Sequence, residues 1–181
     1  MRSTVAVSEA ISMRACRSAM PASAEMVNTP LLLLTLMSVS TISTPRCSPW
    51  RIRSAAAVAR AISQHPGALA ELGELDLGSR QSIRDFAGCI DADSVDVLVC
   101  NAGVFGGRYE EVDRALERTV GVCHVGHFLL VQALLPKLLA NGGGRVVMVS
   151  SESHRTPRRL DFDRLPLTAD QYSGLVAYGQ A

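Results

Sequence analysis

Three groups that could bind or react stand directly after apolar runs in this sequence. Asp76 closes "ELGELDL", Asn101-Ala102-Gly103 follows "VDVLVC", and Ser150, Ser151 and Ser153 cluster after "RVVMV". A carboxylate, a turn of small residues and a set of hydroxyls at the ends of successive strands are what an open α/β sheet presents to a ligand. Such sheets bind beyond the carboxyl ends of their strands. Tyr178 lies further on, in "LVAYGQA". A free phenol titrates near ~10, so at neutral pH it is a poor base unless a fixed cation stands beside it. Cys123, His124 and His127 sit at helical i,i+3 and i,i+4 spacing. They do not make a convincing metal site, because zinc needs three or four convergent ligands and no further ligand cluster accompanies them.

The elements that must position these groups alternate. "SAAAVARAIS" (54–63) is rich in helix formers and is ended by His65-Pro66-Gly67. Residues 68–77 read as a strand. Residues 79–90 read as a helix with Ser79 as N-cap and a stripe of Ile83, Phe86 and Ile90. "VDVLVC" (95–100) and "RVVMVS" (145–150) read as strands buried on both faces. Residues 110–140 carry a long helical pattern with Val120, Phe128, Val131, Leu134, Leu135 and Leu138, stopped by Asn141 and Gly142–Gly144. Strands alternating with helices predict β-α-β units and a parallel sheet.

Composition narrows the function. The net charge is +1 and aromatic residues are 4% of the chain, which argues against nucleic acid as a partner. The longest apolar run, "LLLL" at 31–34 extending to Met37, is far short of the ~20 residues a membrane span needs. The five cysteines, Cys16, Cys47, Cys89, Cys100 and Cys123, form no C-x-x-C pair and read as reduced, mostly buried thiols.

Taken together, "LDL" (75–77), "VCNAGVF" (99–105), "GHFLLVQALLPKLL" (126–139), "RVVMVSSESHR" (145–155) and "LVAY" (175–178) resemble a short-chain dehydrogenase/reductase. "SSESHR" with "LDFDRL" (160–165) is similar to the retinol-dehydrogenase-like branch, which includes WW-domain-containing oxidoreductases. The resemblance implies an NAD(P) cofactor, NADP over NAD, and a small-molecule alcohol or carbonyl substrate of apolar character. It implies that Asp76 bonds the adenine edge with the Leu77 backbone beside it. Asn101, Ala102 and Gly103 would turn against the adenosine ribose, where small residues let the backbone approach. Ser151 would donate to the substrate oxygen, and Tyr178 would be the general acid/base. The family places the activating lysine four residues after the tyrosine, one position beyond Ala181.

Other positions depart from the family pattern. The first glycine is Gly67, so residues 1–66 cannot supply the glycine-rich turn that seats a pyrophosphate on a helix N-terminus. Arginine-bearing stretches at 13–26 and 45–58 both resemble the segment that selects a 2′-phosphate. Cys123 stands where the family has an asparagine of the proton relay, and a thiol is a weaker hydrogen-bond partner than an amide. Residues 1–53 hold only two acids, Glu9 and Glu25, and show no sustained period. They read either as an organelle transit segment or as an unstructured stretch foreign to the domain. The expectation is therefore a Rossmann-type doubly wound parallel sheet, incomplete at both ends, over residues 54–181. Its function is oxidoreduction, with this chain a fragment of weak or no activity. The alternative is an inactive form acting at most as a binding module.

Overall fold

A computed structural model describes residues 8–15, 32–37, 59–60, 63, 68–156 and 159–181. Its strands are β1 (Ser8–Ala15), β2 (Leu32–Met37), β3 (Ala68–Leu75), β4 (Val97–Cys100), the short pair β5 (Glu111–Val112) and β6 (Leu116–Glu117), and β7 (Arg145–Met148). Its helices are α1 (Arg80–Cys89), α2 (Arg118–Leu139) and α3 (Gly174–Gln180). Five strands form one sheet in the order β3-β1-β2-β4-β7. β2 pairs in parallel with β4, and β4 with β7. β1 runs antiparallel to both β2 and β3, so β3 points the same way as the parallel strands. The α/β class is the one the sequence predicts, and the Rossmann-type sheet is parallel across β2, β4 and β7, with β1 inserted antiparallel between β3 and β2.

Two stretches of the N-terminal segment differ from expectation. Ser8–Ala15 and Leu32–Met37 are strands of the sheet, although no strand was assigned before residue 54. Backbone pairing made over six and eight residues on the two sides of β1 outweighs a weak local pattern. The rest of residues 1–53 lie outside the described residues, as do the arginines of 46–53. Of the expected helix at 54–63, residues 59, 60 and 63 are described and are helical.

Helix α1 forms as its sequence predicts. Ser79 is extended at the N-cap and its Oγ accepts from the Ser82 N–H at 3.3 Å. Ile83, Phe86 and Ala87 turn inward, while Ile90 caps the C-terminus and packs at the margin of the core. Gly73 of β3 lies directly under the Phe86 ring, where a Cβ would overlap it.

The long helix starts later than its pattern suggests. Residues 111–117 form the β5–β6 pair instead, turning through Ala115 at φ +59°. The helix is launched by Glu117, whose carboxylate accepts from the N–H groups of Thr119 at 2.7 Å and Val120 at 3.1 Å. Its inward stripe is Leu130, Leu134 and Leu138, at i,i+4 spacing, whereas Phe128 and Leu135 are exposed. Each fully buried leucine contributes about 1.5–3 kcal/mol. Among the described residues, Arg118–Leu139 is a helix long and apolar enough to cross a bilayer. It packs here against α1. Gly126 makes close approach possible, because a Cβ there would collide with the Leu77 carbonyl.

Strand β7 corrects the expectation of burial on both faces. Val146 and Val147 are 38% exposed and Met148 54%. Among the described residues β7 is one of the two edge strands and pairs with β4 alone. β4, with a neighbour on each side, buries Leu98 and Cys100.

Candidate active site

The carboxyl ends of β4 and β7, one turn of α2 and helix α3 enclose a cavity of about 340 Å³. β4 supplies Asn101, Ala102 and Gly103. β7 supplies Met148 through Ser151, α2 supplies Cys123 and His124, and α3 supplies Tyr178 and Gly179. Five of the residues singled out from sequence, Asn101, Ala102, Gly103, Ser151 and Tyr178, thus line one space.

Asp76 and Leu77 do not line it. Leu77 is buried in the core. The Asp76 Oδ1 accepts from the Gly78 N–H at 2.8 Å, and the Asp76 N–H donates to Ser82 Oγ at 2.9 Å. Burial pushes its carboxyl above the usual range, against the opposing pull of that Gly78 N–H and of Arg118.

Ser151 is extended and opens a short 3-10 turn, Glu152–Arg155, with its Oγ accepting from the Ser153 N–H at 3.2 Å. That bond uses an acceptor site and leaves the hydroxyl hydrogen to donate. The Ser151 carbonyl lies 2.6 Å from His154 Nδ1, which ties the turn to the cavity wall.

Tyr178 is held by the seating of α3. Ala177 is fully buried, and Gly179 presses against the carbonyls of Thr156 and Ser153, where a Cβ would overlap both. A glycine after the tyrosine therefore lets α3 lie directly on the turn that begins at Ser151. Sequence reading gave Gly179 no role; only the close approach reveals it. Phe105 was likewise missed as a partner of Tyr178. Its ring meets the tyrosine edge-on, with centroids 5.0 Å apart and planes at 79°. An apolar residue ahead of two glycines in a loop was the signal.

Cys123 occupies a π-helical turn of α2, Gly121–Gly126. Its Sγ accepts from the Val104 N–H at 3.2 Å and donates to the Val104 carbonyl at 3.5 Å. The Cys123 carbonyl takes His127 Nδ1 at 2.8 Å. His127 is buried, and that burial lowers its imidazole pKa. Among the described residues no cluster of metal-ligating side chains occurs.

A Cβ at Gly103 would meet Cys123 Sγ at 3.7 Å, an ordinary van der Waals contact. The cavity is of the size that small-molecule sites occupy, roughly 300–1,000 Å³.

Strands β2, β4 and β7 run parallel in an α/β fold, and Ser151, Tyr178 and the Asn101–Gly103 turn line one cavity at the carboxyl ends of β4 and β7. The family model described as short chain dehydrogenase matches residues 49–160. This chain belongs to the short-chain dehydrogenase family, in its retinol-dehydrogenase-like branch. It is 38% identical over 137 residues to the WW domain-containing oxidoreductase of Homo sapiens, covering 71% of this chain and 33% of that protein. It is 39% identical over 109 residues to retinol dehydrogenase 13 of Homo sapiens, covering 59% and 33%. A solved structure of an uncharacterized protein from Mycobacterium Paratuberculosis aligns with a TM-score of 0.50 at 36% identity, covering 59% of this chain and 37% of that one. The chain spans about a third of the length of the curated relatives it matches.

Proposed function

We propose that this protein is an NAD(P)-dependent oxidoreductase acting on an alcohol or carbonyl carbon of an apolar small molecule. The observation that carries the reading is the meeting of Ser151, Tyr178 and the Asn101–Gly103 turn around one cavity. The bound cofactor would exchange a hydride with the substrate carbon. Ser151 donates a hydrogen bond to the substrate oxygen and holds it beside Tyr178. Tyr178 passes a proton to or from that oxygen. Asn101, Ala102 and Gly103 receive the cofactor's ribose. Ala102, Met148 and Val149 give the cavity apolar walls, which support a retinoid- or steroid-like substrate.

Asp76 is assigned to the adenine edge with the Leu77 backbone, as a contact outside the cavity. NADP is preferred over NAD on account of the arginines at 14–17 or 46–53. Because no glycine-rich turn precedes Gly67 to seat a pyrophosphate, binding by this chain is weak, no tighter than about millimolar or ~4 kcal/mol, and turnover is slow.

The test is a titration of the isotope-labelled chain with NADP or NAD, followed by amide resonances. Shifts concentrated at Asn101–Gly103, Ser151 and Tyr178, with slow turnover of retinal or a steroid ketone that disappears in Tyr178→Phe, are expected. Perturbation confined to other surfaces, or turnover that survives Tyr178→Phe, overturns the assignment. A second reading, an inactive binding module, is favoured by the exposed apolar edge Val146–Val149. Absence of both cofactor-induced shifts and turnover would support it.

A further inference from the structure

The loop after β4 and the segment entering α3 meet at three points in antiparallel order. Phe105 packs on Tyr178, edge to face. Next, Gly106 backs onto Gly174 so closely that a Cβ at Gly174 would lie 3.1 Å from the Gly106 Cα. Beyond that, Tyr109 packs on Tyr172 with centroids 5.8 Å apart and planes at 77°. The loop can fold back this way because Gly106 and Gly107 have φ of +71° and +94°, conformations that side chains disfavour. Its far end is fixed, since the Tyr109 hydroxyl donates to Glu111 Oε1 at 2.8 Å.

Two aromatic pairs with a backbone contact between them form a clasp. The clasp does not line the cavity except through Tyr178. Phe105 stays 63% exposed although it is large and apolar, so burial alone does not explain its place. What the ring does touch is the phenol. Rotation about χ2 turns a tyrosine ring about the axis that carries its oxygen, so the direction of the phenol oxygen is set at χ1, and an edge-to-face partner packed on the ring favours one χ1 well over the others.

We propose that Phe105 is a positioning residue for Tyr178, and that the Tyr109–Tyr172 pair is the clasp that holds Phe105 against it. The functional importance of this arrangement rests on the reading of Tyr178 as the proton-transferring group. Phe105 sets the direction of the phenol oxygen toward the substrate oxygen held by Ser151. Misplacing such a group by about 1 Å costs on the order of 100-fold in rate.

The experiment uses the full chain labelled with 13C in its tyrosine rings. The chain has three tyrosines, so each resonance is assigned by one Tyr→Phe variant. The Tyr178 ring signals are expected to be shifted by the Phe105 ring. Phe105→Leu should remove that shift from Tyr178 and leave Tyr109 and Tyr172 unchanged, while Phe105→Trp restores a ring shift. Tyr172→Leu should also remove the Tyr178 shift, though Tyr172 does not touch Tyr178, and Tyr172→Phe should preserve it. An unshifted Tyr178 in the parent chain, or a Tyr178 signal indifferent to Phe105→Leu, overturns the positioning role. A Tyr178 signal that survives Tyr172→Leu overturns the clasp. Equal movement of all three tyrosines in Phe105→Leu shows a general structural effect and also overturns the proposal. These spectra need neither cofactor nor turnover. A normal Tyr178 shift in a chain without turnover would therefore sink the oxidoreductase reading alone. Where the parent chain turns over retinal, Phe105→Leu should lower kcat about 10- to 100-fold at little change in KM, with recovery in Phe105→Trp. Loss confined to KM would count against positioning.

Discussion

Cys123 and Val104 are joined through one sulfur in both directions. The Val104 N–H donates to Sγ at 3.2 Å, and the thiol donates back to the Val104 carbonyl at 3.5 Å. The thiol therefore serves both the N–H and the carbonyl of one backbone residue. It thereby ties a π-helical turn of α2 to the segment that carries Asn101–Gly103 and Phe105.

Cys123→Ala should therefore destabilise the chain by about 1–3 kcal/mol, because it leaves a part-buried backbone donor without its partner. Cys123→Ser, which keeps a donor and an acceptor, should lose less. Denaturant unfolding of the three proteins measures this, and an alanine variant as stable as the parent would refute the bridging role.

Gly179→Ala should unseat α3. Its Cβ would overlap the carbonyls of Thr156 and Ser153, and overpacking of this kind costs about 1–3 kcal/mol. Hydrogen exchange should quicken at the Ala177 and Ala181 amides, which donate to Ser173 and Ala177, while α1 and β4 stay protected. Unchanged exchange across α3 would show that the helix does not depend on this contact.

Stability should fall on acidification below about pH 6.5, and His127 should be a cause. Burial depresses its folded-state pKa from 6.5; the Cys123 carbonyl opposes the shift and His124 adds to it. Below pH 6.5 the unfolded chain takes up a proton that the folded chain refuses, so stability rises with pH through that window. Asp76 has the opposite sign in a lower window. Its raised pKa makes its contribution fade as pH rises from 3.8. Thermal unfolding between pH 5 and 8 should show the His127 slope, and His127→Gln should flatten it. An equal slope in both proteins would exclude His127.

Thiol reagents should rank the described cysteines by exposure. Cys89 is exposed and should label first, ahead of the intermediate Cys123 and the buried Cys100. Burial pushes the Cys123 thiol up and drives Cys100 to about 11, so at pH 8 only about one Cys100 in a thousand is thiolate. Peptide mapping after timed alkylation measures the order. Rapid labelling of Cys100 in the folded chain would contradict its burial at the end of β4.

Much of this organisation was legible in the sequence because it rests on short-range chemistry. A serine cap and an i,i+3 stripe specify α1 within a dozen residues. β-branched runs specify β4 and β7, and the groups that follow them are carried to one edge by the direction of the strands. The start of α2 was misread because periodicity continues through 110–117. It carries no information about a carboxylate that caps at Glu117 or a turn through Ala115.

What the sequence by itself determined is the set of elements and the residues at their ends: Asn101–Gly103 after β4, Ser151 after β7 and Tyr178 in the last helix. Spacing of 2 and 3.6, caps and breakers act within a few residues, so they can be read in order along the chain. Tertiary structure alone decided which of those residues meet. It left Asp76 outside the cavity, gave Cys123 to Val104, set Gly179 against Thr156 and Ser153, and put Phe105 on Tyr178. It also drew Ser8–Ala15 and Leu32–Met37 into the sheet and left β7 exposed. Each of these depends on close packing or pairing between segments distant in the chain, where sterics and unpaired backbone groups choose the partner and no local pattern records the choice.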